Sequence, residues 1–434
     1  MCKLCFTLAL AAMSLSTVAF AQSEKVIFDF SPYGFQNLGS NLISDASGNL
    51  YGADGNGGVF ELSPPAQASG SWTPTEIYNV PYTPLNLAID KNGNIYGTTF
   101  YGGIVNSQTC PIGCGTVFEI SPPAAPSGAW TETIVYEFPQ GLRGPTLPRA
   151  TGLTIGPDGI LYGATQNGGN YPGDGTIFQL SPPAQAGGAW THQVLYEFQG
   201  GSDGMWPTGS FLIDKEHNLY GTTIAGGFDG ALCFEDCGTV FELSPPAAAG
   251  DSWTKTMLFE FQGFPTDGNF PNPGLIMDKA GNLYGSTYYG NAAGGSCGNC
   301  GTVFQLTPPS QPGGAWTETI LHNFANSPDG AGPLGLTLGS SGTLYGATWQ
   351  GGTFGKGNGE GTVFELTPPA QSGGAWTETI LHNFPPDGTS SEDGVQPKAN
   401  LVYKSGVLYG ATQFGGPSVS GCNVGCGVIY EVHP

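Results

Sequence analysis

The sequence predicts an all-β fold, a seven-bladed β-propeller of four-stranded antiparallel blades, from three observations. A Leu/Ile-Tyr-Gly triplet recurs seven times, centred on Tyr51, Tyr96, Tyr162, Tyr220, Tyr284, Tyr345 and Tyr409. The 72 Gly and 35 Pro in 434 residues are too many for a helix-rich chain, because both break helix interiors. The two ends read as complementary halves of one repeat. Lys25 to Phe30 has the pattern of a fourth strand with nothing before it, and Val428 to Val432 that of a third strand with nothing after it. Joining them closes a ring, and closure removes the exposed edges that invite aggregation.

Each unit holds four strand-like runs. The first is an apolar pair leading to Asp, as in Leu42-Ile43-Ser44-Asp45 and Leu275-Ile276-Met277-Asp278. A tight turn such as Gly93-Asn94 or Gly281-Asn282 leads into the second run, Tyr-Gly-x-Thr. After a Gly-rich loop comes the third, Gly-Thr-Val-Phe-Glu-Leu, as at Gly238 to Leu243 and Gly361 to Leu366. A Pro-Pro connection precedes the fourth, where Ile134, Tyr136 and Phe138 alternate with Thr133, Val135 and Glu137. Period two with β-branched and aromatic residues means strand. The repeated Trp130, Trp190, Trp253, Trp316 and Trp376 are expected to pack between blades. His322 and His382 stand where other repeats have Tyr136, Tyr196 and Phe259, so they read as strand aromatics rather than ligands. An open solenoid is the alternative architecture.

Residues 1–21 read as a secretory signal: Lys3, an apolar Phe6 to Leu15 too short to span a bilayer, and Ala19-Phe20-Ala21 as a cleavage site. Residues 22–434 are then a single propeller domain, secreted, extracellular or periplasmic after cleavage near Ala21. Cys110/Cys114, Cys233/Cys237, Cys297/Cys300 and Cys422/Cys426 are most simply local disulfides in an oxidising compartment. The rival for such close pairs is zinc. The net charge, 11 − 33 = −22, argues against nucleic acid and against anionic lipid as partners. No membrane insertion and a monomer are expected.

Tyr-Gly-x-Thr, a following Gly-Gly, Gly-Thr-Val-Phe-Glu-Leu-x-Pro and an Asp-Gly before the next repeat together resemble the bacterial GloVer (Gloeo/Verruco-type) tandem-repeat family over nearly the whole mature chain. The resemblance implies exported, propeller-like repeat proteins, with no catalytic residues to carry over. This chain departs from the pattern in its extended Pro-Pro…Gly-Gly-Ala-Trp connection, its short, Cys-free first unit, and its end at Pro434 inside the closing blade, where many relatives carry a sorting segment.

Function is expected on the face where the long loops and the fourth-to-first connections cluster. Two features stand out there. Asp203, Asp267, Asp329 and Asp393 precede the next repeat, each followed at once by Gly. They are weak candidates for an acidic ring holding a cation such as Ca2+, against the plainer reading as turn-capping residues. Arg143 occupies the corresponding place in another repeat, and Arg143 and Arg149 are the only arginines. Arg143 suits an anionic ligand group or a neighbouring Asp. The second feature is a set of rings and amides: Phe100, Tyr101, Gln166, Trp206, Tyr288, Tyr289, Trp349, Gln413 and Phe414. Rings beside amides suit sugars, against the plainer reading as loop packing. No nucleophile elbow, which needs its Ser on a strand-to-helix turn, and no Asp-x-Asp-x-Asp loop is recognised. The leading expectation is therefore a non-catalytic, ligand-binding propeller for glycan or cell-surface material. The alternatives are an extracellular carbohydrate-active hydrolase or lyase, and a structural or protein-interaction array.

Overall fold

The computed structural model describes residues 24–434 apart from 32–37, 68, 106–109, 126–127, 140–149, 170–172, 186, 228–236, 249, 291–298, 312, 354–359, 372, 387–392, 399, 419–421 and 423–424. The segment expected to be a signal peptide lies outside the described residues. Seven separate antiparallel sheets form a ring. Blades 1 to 6 span residues 43–79, 84–137, 150–197, 205–260, 268–323 and 331–383. Blade 7 combines residues 394–432 with the N-terminal strand Glu24–Asp29, which pairs antiparallel with Val428–Val432. The ends of the chain thus meet edge to edge. Among the described residues there is no α-helix, and no helix long and apolar enough to cross a membrane.

The repeated motifs are explained by contacts inside and between blades. In Tyr-Gly-x-Thr, a Cβ on Gly97 would come within 2.3 Å of the Phe118 ring, so glycine makes room for the Phe of the third strand. The Thr side chains meet across these two strands: Thr287 and Thr302 are 2.8 Å apart, and Thr99–Thr116, Thr165–Thr176, Thr223–Thr239 and Thr348–Thr362 repeat the contact. In blades 1, 4 and 5 the Tyr hydroxyl donates to the Asp that ends the first run, as Tyr284 does to Asp278 at 3.0 Å. That Asp also takes the backbone and side-chain N–H groups of Asn282, which fixes the turn.

There is no single core. The buried apolar residues form seven layers, each between two consecutive blades. Each seam but one has an aromatic edge contact between the Phe after an outer strand and the third-strand ring of the next blade. Examples are Phe198–Phe241 at 5.5 Å and Phe324–Phe364 at 5.2 Å, and Phe30–Phe60 closes the ring in the same way. Val80 takes this place between blades 1 and 2. The repeated Trp latches onto the Tyr of the preceding blade, as in Trp190–Tyr96, Trp253–Tyr162 and Trp376–Tyr284, and Trp72–Tyr409 spans the closure. The expectation that the tryptophans serve blade packing is met. An edge-to-face pair adds about 0.5–1.5 kcal/mol beyond the area it buries.

The innermost strand differs from the sequence reading. In blades 4 to 7 it is broken into two pieces, for example Gly268–Pro271 and Ile276–Met277, both paired with Leu283–Gly290. The apolar pair recognised in the sequence is only its lower half. The upper half carries Pro207, Pro271, Pro333 and Pro397, which suits an edge that donates no further ladder bonds. Small and amide residues of these innermost segments meet between blades. Asn41 bridges to the backbone of Leu87, and Asn400 lies against Gly274 and Gly335. Asn86 donates to Ser210 at 3.1 Å, joining blades 2 and 4 across Gly152 of blade 3. The inner rim is therefore pinched by amides and a hydroxyl, with no carboxylate in these contacts among the described residues.

Candidate functional site

The four Asp residues of the fourth-to-first connections do not converge on the axis. Each turns outward to the seam beside its own blade, because the nearest donors are on its own loop and on the outer strands. Asp203 accepts from Tyr196 at 2.8 Å, from the Gln199 N–H at 2.8 Å, and from Lys255 at 2.7 Å. Asp267 accepts the N–H groups of Gln262 and Gly263. Asp329 accepts the Ala325 N–H and lies 3.1 Å from His322 Nε2. Asp393 accepts the Gly394 N–H and lies 3.5 Å from His382 Nε2. The capping role is thus real, and the axial ring of acids is not formed. Arg143 and Arg149 lie outside the described residues.

A third residue completes each seam: the residue at the start of the next blade's outer strand that stands opposite the last apolar residue of the third strand. Going round the ring it is Glu132, His192, Lys255, Glu318, Glu378 and Glu24, with Pro74 at the closure. Glu24 comes from the N-terminal strand and stands in the place of Glu378. Two seams consequently gather a His, an Asp and a Glu: His322, Asp329 and Glu378, and His382, Asp393 and Glu24. In each, one donor atom from every member lies within 4.8 Å of the others. Burial pushes the carboxyls of Glu24 and Glu378 up to about 7, with Asp393 and Asp329 respectively adding repulsion and the histidines opposing it. At the seam between blades 4 and 5, where Phe259 replaces the histidine, burial pushes Glu318 to about 8 and Asp267 to about 6. The assignment of His322 and His382 as strand aromatics is right for their position. It missed their chemistry, because the Glu that completes each group comes from another part of the chain.

The ring and amide set occupies the ends of the second strands and the loops beyond them. Tyr288, Tyr289 and Trp349 form a connected row with Phe270, which the sequence reading did not single out. The centroid distances are 5.8 Å for Phe270–Tyr289, 4.6 Å for Tyr289–Tyr288 and 6.3 Å for Tyr288–Trp349. The row crosses from blade 5 to blade 6 because the Tyr288 ring lies over Gly332, where a Cβ would stand 3.3 Å from it. Tyr289 keeps 39% of its surface exposed. Phe100 and Tyr101 form a separate pair on blade 2, with centroids 4.7 Å apart. Trp206 is held against the blade 3 loop by its indole N–H, which donates to the Gly173 carbonyl at 2.9 Å. Gln413 and Phe414 end the second strand of blade 7, and Gln166 follows that of blade 3, at the register of Tyr288 and Trp349.

Disulfides join Cys110 to Cys114 and Cys422 to Cys426. Cys237 and Cys300 are also disulfide-bonded, and their expected partners Cys233 and Cys297 lie outside the described residues. These bonds fit an oxidising, non-cytoplasmic compartment.

No functionally curated protein matches the sequence. Among solved structures, the fold is similar to a catalytically inactive variant of virginiamycin B lyase from Staphylococcus aureus with quinupristin, at TM-score 0.55 and 14% identity over 95% of this chain and 100% of that one. It is also similar to a streptogramin B lyase, at TM-score 0.53 and 13% identity over 95% and 97% of the two chains. The extracellular domain of a hybrid two-component system from B. thetaiotaomicron matches at TM-score 0.50 and 10% identity, over 92% of this chain and 39% of that one. At such identities these likenesses are of fold alone. Residues 83–311 and 288–434 match the profile of the Gloeobacter/Verrucomicrobia repeat, and the chain belongs to that family.

Proposed function

We propose that this chain is an exported, non-catalytic binding propeller whose blades 5 and 6 present an aromatic platform to a sugar ring. The observation that carries the reading is the connected row Phe270, Tyr289, Tyr288 and Trp349, with Tyr289 exposed within it. Aromatic faces take the C–H faces of a pyranose, and neighbouring amides such as Gln350 offer donors and acceptors to its hydroxyls. A site of this kind on a rigid ring needs no induced ordering, which favours binding. The disulfides and the acidic net charge suit a protein working outside the cytoplasm.

The test is a glycan-array screen followed by titration calorimetry on the best ligand. Binding without product release is expected, and Tyr289→Ala with Trp349→Ala should abolish it while leaving the melting temperature unchanged. Binding that survives the double substitution overturns the platform. Release of reducing or unsaturated sugar ends would instead support the carbohydrate-active enzyme.

A further inference from the structure

We propose that the two His-Asp-Glu seams, His322/Asp329/Glu378 and His382/Asp393/Glu24, are divalent transition-metal sites that tie consecutive blades together. Three observations lead there. The donor set is one imidazole nitrogen and two carboxylates at each seam, the ligand chemistry of Zn2+ or Mn2+ rather than of an all-oxygen Ca2+ site. The spacings are those of metal ligands. His322 Nε2 lies 3.5 Å from Glu378 Oε1, and His382 Nε2 lies 3.5 Å from Asp393 Oδ2, both beyond the roughly 2.7–3.2 Å usual for hydrogen bonds to nitrogen, while His322 Nε2 and Asp329 Oδ2 are at hydrogen-bond distance, 3.1 Å. Donors bound at about 2.0–2.2 Å in a tetrahedral shell stand roughly 3.3–3.6 Å apart. Glu24 Oε1, Glu378 Oε1 and His382 Nε2 are buried atoms with no hydrogen-bond partner; Glu132 Oε1 and Glu318 Oε1 at the seams without such a histidine share this, so the imidazole is what sets the two sites apart.

The third observation is internal to the fold. At the seam between blades 3 and 4, the register position of Glu378 and Glu24 is held by Lys255. Its ammonium sits on Asp203 at 2.7 Å, with only 5% of the side chain exposed. The place is thus one where this ring already holds a cation. At the seams from blade 5 to blade 7 the lysine is exchanged for a carboxylate and the neighbouring tyrosine for a histidine. Each exchange adds a metal ligand, and together they remove the charge that balanced the Asp. The seam between blades 4 and 5 has Asp267 and Glu318 but Phe259 in place of a histidine, and supplies a natural comparison. The sites share no residue with the aromatic platform and do not depend on the binding reading.

The test uses the whole chain, stripped with chelator and dialysed against Zn2+ or Mn2+ alone, with bound metal measured by elemental analysis. Two equivalents are expected. His322→Ala should lower the count to one, and His322→Ala with His382→Ala to none, whereas Asp267→Asn should leave two. Exchanging His322→Tyr together with Glu378→Lys reproduces the blade 3–4 seam. That variant should lose one equivalent while keeping the metal-free melting temperature, which separates loss of ligands from loss of fold. The proposal is overturned if neither metal is taken up, if uptake persists in the double histidine variant, or if Ca2+ is bound in preference to Zn2+ and Mn2+.

Discussion

At the seam between blades 3 and 4, the Lys255 ammonium lies 2.7 Å from Asp203 and 5.2–5.9 Å from the centres of the Tyr196, Phe198 and Phe241 rings. At the seam between blades 5 and 6, the same register positions hold Glu378, Asp329, His322, Phe324 and Phe364. The two phenylalanines and the Asp are kept, and the other two polar positions differ. The apolar layer keeps its aromatic contact in six of the seven seams, because each blade has to pack on the next at one angle for the ring to close. The polar triad outside it is free to differ, because it does not set that angle. Shape is held by the part that repeats, and chemistry is carried by the part that varies.

Truncating the shared layer should be the costliest change and should cost alike on both sides. Phe198→Ala and Phe324→Ala are each expected to lose about 3–5 kcal/mol by denaturant unfolding. A difference between them larger than about 1 kcal/mol would show that the polar triads share in holding the blades. Breaking the ion pair comes next. Lys255→Ala leaves Asp203 with an uncompensated charge, and a loss of about 3 kcal/mol is expected at neutral pH. Adding Asp203→Asn should recover part of it, whereas full additivity would deny the pairing.

The acidic seams should show the opposite sign. In metal-free protein, Glu378→Gln is expected to stabilise at pH 8 by something of order 1 kcal/mol, because it removes a desolvated charge. The pH profile sharpens the contrast. The folded state raises Glu24 and Glu378 to about 7 and Glu318 to about 8, from the ordinary 4.5. Their neutral forms are favoured by folding, so this contribution is whole below about pH 4.5 and is lost as pH rises through 7 to 8. The urea midpoint of the metal-free chain should therefore fall across that window. Glu318→Gln with Glu378→Gln should flatten the fall, and a profile unchanged by the pair would mean these carboxyls are not buried. The smallest effect on stability belongs to the platform: Tyr289→Ala should change unfolding by less than about 0.5 kcal/mol while removing glycan binding.

Much of this was legible in the residues. Leu/Ile-Tyr-Gly counted the blades, since a strand that meets an aromatic ring at the same place seven times needs glycine there seven times. The unmatched fourth-strand pattern before Phe30 and the unmatched third-strand pattern at Val428 to Val432 foretold the closure. The upper halves of the innermost strands were not legible, because their Pro-bearing segments pair on one side only and lack an alternating pattern. Phe270 escaped for the same reason, and its place in the aromatic row depends on a left-handed backbone at φ 54°.

The seam triads needed the tertiary structure entirely. Glu24 and Asp393 are at opposite ends of the chain, and Glu378 lies far from His322, so no local spacing connects them. What the sequence by itself determined is the unit, its number and its closure, because strand periodicity, turn residues and the fit of glycine to the neighbouring ring act within one repeat. What only the folded ring decided is which unlike side chains from different repeats face one another, because that depends on how each outer strand meets the next, a geometry set by all seven blades at once.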